Sequence, residues 1–311
     1  MKIDWTGIFP AVTTKFTVND EIDYAAFDYN IKAQLDAGID GIILGGSLGE
    51  ASTLTEQEKL DLLSHTLKLV DGAVPVLMNV TEQATSVAVS FAQKAEKLGA
   101  DGLMLLPPMR YKADDEETLA FFISVAKGTS LPIMIYNNPV DYKIEVTPDM
   151  FEKMLPYENI QAVKDSSRDV SNITRMISRF GDRYKILTGV DPLALECLLM
   201  GACGWVAGLV NAFPKETVAV YRLAKAGRLE EALAIYRWFL PVLELDIHPK
   251  LVQYIKLAEV VTGLGTENVR APRLAIKGEE REKVLRVVGE ALASYPGLPE
   301  GSWGMSKVLE V

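Results

Sequence analysis

A (β/α)8 TIM barrel followed by a C-terminal helical extension is the fold this sequence predicts, on three observations. Eight short apolar runs recur along the first two-thirds of the chain. Amphipathic stretches at helical spacing alternate with them. One glycine-containing joint, where a helix would stop and a strand begin, appears three times.

The apolar runs are Gly7–Val12, Gly41–Leu44, Val74–Met78, Gly102–Leu106, Pro132–Tyr136, Ile160–Val163, Lys185–Leu187 and Gly204–Ala207. Runs without polar alternation suit parallel strands with helices on one face and a packed barrel interior on the other. The joint reads Ala37-Gly38-Ile39-Asp40-Gly41-Ile42-Ile43, then Leu98-Gly99-Ala100-Asp101-Gly102-Leu103-Met104, then Met200-Gly201-Ala202-Cys203-Gly204-Trp205-Val206. Its first glycine supplies the left-handed residue that ends a helix, and its second enters a strand. Repeated units of this kind close into a barrel more naturally than they form an open sheet, which is the structural alternative.

After Asn211 the strands stop. Pro214–Lys225, Leu229–Leu243, Lys250–Thr262 and Glu279–Ala293 read as helices, punctuated by Gly227, Pro241, Pro249 and Gly263/Gly265. The first would be the eighth barrel helix. Residues 1–227 are therefore expected to form the barrel and residues 228–311 a helical domain packed on it or on another subunit.

Composition narrows the function classes. The 311 residues are 49% hydrophobic, enough for a large core, and carry a net charge of −10. No basic stripe with interleaved aromatics is present, so a nucleic-acid partner is not expected. No apolar run approaches the ~18 residues of a membrane span. Met1-Lys2-Ile3-Asp4-Trp5 does not read as a signal peptide, so a cytoplasmic protein is expected. Cys197 and Cys203 lack zinc spacing and read as two buried thiols. His65 and His248 have no second metal-type ligand near them in sequence, so neither a metal site nor a Ser-His-Asp arrangement is expected.

In a barrel of this kind, chemistry sits at the C-terminal ends of the strands and in the loops that follow. Three strand ends stand out. The second runs into Leu44-Gly45-Gly46-Ser47-Leu48-Gly49-Glu50, with a capping box at Thr55 and Glu58 after it. Its backbone N–H groups and the Ser47 hydroxyl suit a carboxylate or phosphate oxygen; the alternative is a plain tight turn. It is not a Gly-x-Gly-x-x-Gly loop, and no Gly-Lys-Ser/Thr follows. The fifth strand ends in Ile135-Tyr136-Asn137-Asn138-Pro139, where Tyr136 either moves a proton or simply packs. The sixth ends in Val163-Lys164-Asp165-Ser166. A lysine buried there loses pKa and becomes a nucleophile toward a carbonyl or imine carbon. The alternative is a lysine paired with a carboxylate such as Glu50, or one that snorkels out to solvent.

Together these pieces resemble the dihydrodipicolinate synthase / N-acetylneuraminate lyase family of class I Schiff-base enzymes. The resemblance covers residues 5–295 and rests on Gly46-Ser47-Leu48-Gly49-Glu50, Tyr136-Asn137-Asn138-Pro139, Val163-Lys164-Asp165-Ser166 and Leu187-Thr188-Gly189. It implies a homotetramer without a cofactor. It also implies that Lys164 condenses with the substrate, that Tyr136 moves protons and that the Gly46, Ser47, Leu48 loop binds the carboxylate. Gly189 and Val206 match positions lining that pocket.

Three departures bear on the substrate. A synthase of this family has two hydroxyl residues in the loop, and here the second is Leu48. It has a relay tyrosine, lent by a neighbouring subunit, after the strand-four proline; here Leu106-Pro107-Pro108-Met109-Arg110-Tyr111 sets Tyr111 one place late. It holds a semialdehyde carboxylate with an arginine after the strand-five proline, and here that place is Asp141. The pattern looks most like the hydroxyproline-breakdown branch, 1-pyrroline-4-hydroxy-2-carboxylate deaminase, whose products are 2-oxoglutarate semialdehyde and ammonia. An aldolase or dehydratase of 2-keto-3-deoxy sugar acids, and 4-hydroxy-tetrahydrodipicolinate synthase itself, are the alternatives.

Overall fold

The computed structural model describes residues 3–304. Met1 and Lys2 of the expected leader-free start, and residues 305–311 of the expected helical domain, lie outside the described residues.

Eight parallel strands form one sheet: β1 (Gly7–Pro10), β2 (Ile42–Leu44), β3 (Val76–Val80), β4 (Gly102–Leu105), β5 (Ile133–Asn137), β6 (Ile160–Asp165), β7 (Lys185–Thr188) and β8 (Gly204–Ala207). Each pairs with its neighbour in sequence from β2 to β8, and β8 pairs with β1. The ring closes where Ala11 bridges to Ile43 and the Val12 N–H donates to the Ile43 carbonyl at 3.0 Å. This is the expected (β/α)8 barrel. The third strand lies two residues later than its apolar run suggests, because Val74 and Pro75 belong to the connection.

The outer helices are α1 (Tyr24–Ala37), α2 (Glu56–Val70), α3 (Thr85–Leu98), α4 (Asp115–Gly128), the short α5 (Pro139–Tyr142) and α6 (Pro148–Met154), α7 (Ser171–Phe180), α8 (Ala194–Leu199) and α9 (Pro214–Lys225). The repeated joint is built as its glycines require. Gly38 and Gly99 cap α1 and α3 at φ 91° and 94°, and Gly201 sits at φ 110° before β8. The Thr55–Glu58 capping box opens α2 with both reciprocal bonds present.

Three helices follow the barrel: α10 (Leu229–Leu243), α11 (Leu251–Val261) and α12 (Gly278–Ala293). Pro241 does not interrupt α10; it lies inside it, near the end, where the missing N–H removes one bond from the last turn. Trp238 and Phe239 pack on Phe213 of the barrel, and the Trp238 indole N–H donates to the Ala291 carbonyl at 2.9 Å. The chain then returns to the barrel: the Gly304 N–H donates to the Ala37 carbonyl at 2.8 Å and Arg222 donates to the Gly304 carbonyl at 2.7 Å. Between α10 and α11 a 3-10 turn, Glu244–Ile247, packs against another, Asp191–Leu193, beyond β7. That contact carries residues 246–249 and 251 to the C-terminal mouth of the barrel.

Cys197 is buried as expected, but Cys203 is only half-buried, with its Sγ 3.1 Å from the Trp5 carbonyl oxygen. No helix among the described residues is long and apolar enough to cross a membrane. Among the same residues no group of three or more His, Cys, Asp or Glu side chains is placed to hold a metal ion.

Candidate active site

Strand register puts two of the expected residues side by side. Tyr136 and Lys164 are direct partners across β5 and β6, and side chains in register on parallel strands leave the same face of the sheet. Here that face is the barrel interior: both residues line a cavity of about 560 Å³ at the C-terminal mouth. Lys164 is 7% exposed, and its Nζ sits 4.1 Å above the centre of the Tyr136 ring. Glu50 is not its partner: that carboxylate pairs with Lys256 instead.

Burial is the main influence on Lys164 and lowers its pKa; the charges of Tyr142, Asp246, Asp191 and Asp141 oppose the shift. The sign follows directly. A lowered pKa means the free amine, the attacking form, is reached at lower pH than for an ordinary lysine. The rate of borohydride trapping of a carbonyl ligand should therefore rise with pH and level off below 10.5, the ordinary lysine value. A rate still climbing through 10.5 would show an unshifted amine.

Tyr136 is pushed up to about 12 by burial, against hydrogen bonds with Ser166 and Asn138. It is a neutral phenol at working pH. Its oxygen accepts from Asn138 Nδ2 at 3.2 Å, which leaves the O–H proton available to a neighbour. The Ser166 hydroxyl donates to the Gly189 carbonyl at 2.9 Å. A Cβ at position 189 would lie 2.5 Å from Lys164 Cε and 2.4 Å from Ser166 Oγ, so only glycine lets the lysine stem pass.

The loop after β2 turns sharply, with Gly45 at φ 65° and Glu50 at φ 58°. Asn79 Nδ2 donates to the Gly45 carbonyl at 3.1 Å. The Ser47 and Leu48 N–H groups have no protein acceptor among the described residues. Gly46, Ser47 and Leu48 all line the cavity, as do Gly189, Val206 and Asp141. Asp141 is held by Asn138, which donates to it through Nδ2 at 2.8 Å.

Three residues in this cavity escaped the sequence. Tyr142, at the end of α5, places its hydroxyl 2.5 Å from Ser47 Oγ and its ring edge-on to Tyr136 at 5.4 Å. Tyr111 is 57% exposed, so within this chain the hydroxyl beside Ser47 comes from Tyr142. The signal was present: Asn138-Pro139 is an N-cap followed by a first-turn proline, which announces a turn of helix there. His248, set aside from sequence, lines the cavity and stacks on Tyr254 at 4.2 Å. Asp246 lines it too, with Asp191 wholly buried against it. No local pattern marks either residue.

The fold and site define a (β/α)8 barrel with an amine at the end of strand six, a phenol beside it and a loop of open N–H groups across the mouth. The chain belongs to the Dihydrodipicolinate synthetase family, whose sequence profile matches residues 4–291. It is 32% identical over 286 residues to the 4-hydroxy-tetrahydrodipicolinate synthase of Kosmotoga olearia, covering 91% of this chain and 97% of that one. The crystal structure of dihydrodipicolinate synthase DapA-2 from Bacillus anthracis superposes with a TM-score of 0.87 at 30% identity, covering 93% and 98% of the two chains. YagE of E. coli, a prophage protein of the dihydrodipicolinic acid synthase family solved in complex with pyruvate, gives 0.87 at 25% identity, covering 92% and 98%.

Proposed function

We propose that this chain is a Schiff-base-forming enzyme in which Lys164 condenses with a small keto or imino acid. The placement of the Lys164 amine over Tyr136 inside the cavity at the barrel mouth carries this reading. The substrate carboxylate would sit on the Ser47 and Leu48 N–H groups, where backbone dipoles converge. Lys164 would add to the neighbouring carbon, and Tyr136, a neutral phenol, would hand over and recover the protons. The iminium so formed draws electrons from the next carbon, which is what elimination or carbon–carbon cleavage needs.

The finer reading is deamination of 1-pyrroline-4-hydroxy-2-carboxylate to 2-oxoglutarate semialdehyde and ammonia. Its support is the lining. Leu48 is apolar, Asp141 stands where the synthase arginine would be, and Asp246 lines the cavity with the buried Asp191 behind it. A second carboxylate would be repelled there, whereas a compact substrate bearing one carboxylate and a ring nitrogen would be accepted. The homotetramer implied by the family likeness belongs to the same proposal, and light scattering checks it.

Synthase activity is the second reading. Likeness to 4-hydroxy-tetrahydrodipicolinate synthases favours it, and Arg168 and Lys143 at the exposed rim offer cations for another carboxylate. Purified protein should release ammonia from the hydroxypyrroline carboxylate in step with semialdehyde. Ready trapping by pyruvate, followed by condensation with aspartate semialdehyde and no ammonia release, would decide for the synthase. Pyruvate release from a 2-keto-3-deoxy sugar acid would decide for the aldolase.

A further inference from the structure

Asp246 is the carboxyl that the C-terminal helices bring into the cavity of Lys164. It arrives on the 3-10 turn Glu244–Ile247, and the Asp191 N–H donates to its Oδ2 at 3.3 Å. Gly208 makes room for it. A Cβ at position 208 would come within 2.6 Å of Asp246 Oδ1.

Asp191, beside it, is wholly buried and well supplied with donors. Its oxygens accept from the Trp205 indole at 2.9 Å, from the Gly208 N–H at 3.1 Å and from the Leu209 N–H at 2.7 Å. Donors of this number stabilise a carboxylate. Asp246 has one long donor and an anion for a neighbour. Two carboxyls so close resist double ionisation, and the proton goes to the one with fewer donors. Burial, and then the charge of Asp191, hold Asp246 well above the ordinary carboxyl range, although Lys164 pulls the other way. Of the two carboxyls, Asp246 is therefore the one that holds the proton, and it lines the amine's cavity.

We propose that Asp246 is a further catalytic residue, the acid that protonates the departing hydroxyl of the Schiff-base-bound substrate. This rests on the hydroxypyrroline reading above. Lys164 adds to C2 of the cyclic imine, the C2–N1 bond breaks and the ring opens. Tyr136 gives its proton to the freed nitrogen and takes one from C3, and the enamine pair then forms the C3–C4 double bond as the C4–O bond breaks. The oxygen takes the proton of Asp246 and leaves as water. The C2–Nζ iminium is restored, Asp246 is left as carboxylate, and solvent returns its proton. No oxidant or further reactant enters.

The test compares leaving groups. Asp246→Asn and Asp246→Ser are assayed on the 4-hydroxy substrate and on its 4-fluoro analogue, because fluoride departs without a proton. Turnover of the hydroxy substrate should fall by about 10²- to 10⁴-fold, the usual worth of a positioned acid, and that of the fluoro analogue by less than about tenfold. Borohydride trapping should continue at the wild-type rate, which shows an intact site. Equal losses on both substrates overturn the proposal, as does a loss of less than about tenfold on the hydroxy substrate. Loss of trapping in both variants makes Asp246 structural and overturns it as well. Wild-type protein that is trapped by neither compound overturns the substrate reading itself, and the role of Asp246 with it.

Discussion

Replacing Lys164 by alanine is expected to lower turnover by about 10⁴-fold or more, on the order of 5 kcal/mol of transition-state stabilisation. The effect is large because nothing nearby substitutes for the amine. Lys143 and Arg168 also border the cavity but are exposed at its rim, away from the Tyr136 ring. Covalent catalysis also fails in a particular way: without the nucleophile there is no electron sink, so the remaining groups act on a step that no longer occurs. Mass spectrometry after borohydride treatment should show one adduct on the wild-type protein, mapped to the peptide containing Lys164, and none on Lys164→Ala. Folding should be intact, since an unpaired buried amine has been removed. An adduct on another lysine, or a loss of less than about tenfold, would sink the assignment.

The second large effect concerns stability. Glu50 ends the Ser47 loop in a left-handed conformation, and its side chain is wholly buried. It accepts from Lys256 of α11, from the Arg270 N–H at 3.1 Å, and lies 3.7 Å from Arg273. A second buried pair stands beside the first: Lys15 meets Glu259 at 2.7 Å, and Thr13 donates to the same carboxylate at 2.6 Å. Truncating one member leaves the other charge buried and unpaired, which costs about 3–5 kcal/mol. Glu50→Ala should therefore melt on the order of 10 °C lower than wild type, given about 2–4 °C per kcal/mol for chains approaching this size. A Glu50→Gln/Lys256→Met double variant should recover part of that loss, because no lone ammonium remains. Thermal melts of the three proteins measure it. A shift within ~1 kcal/mol for Glu50→Ala would mean that the pair holds nothing.

Glu50 also shows where sequence reading stops. The Gly-Gly-Ser turn, the strand-end lysine and tyrosine and the three repeated joints are local facts, and periodicity and glycine chemistry expose them. Lys164 was identifiable because a charge directly continues an apolar strand. The partner of Glu50 was not identifiable, since Lys256 lies 206 positions away and reaches it only through the packing of α11 on the barrel. Asp246 and His248 were hidden for the same reason. They belong to a connection between helices, and the contact of Glu244–Ile247 with Asp191–Leu193 depends on how α10 leaves the barrel. Tyr142 was a different miss. Its one-turn helix is signalled by Asn138-Pro139, but only the fold brings its hydroxyl to Ser47, a place that the family pattern gives to a tyrosine after strand four.

The connection between α10 and α11 brings a distant stretch of chain to the cavity. The amine, the phenol and the N–H loop come from β6, β5 and the loop after β2, all within the first 166 residues. Residues 246–249 and 251, 80 or more positions later, line the same cavity and bring Asp246, the proposed acid, with them. A recombinant that exchanged only this connection with that of a relative would meet the same amine, phenol and N–H loop with a different ceiling. Diversification of substrate range can therefore proceed by drift in one short helix-to-helix segment around Asp246, while the amine, phenol and N–H loop stay under separate selection.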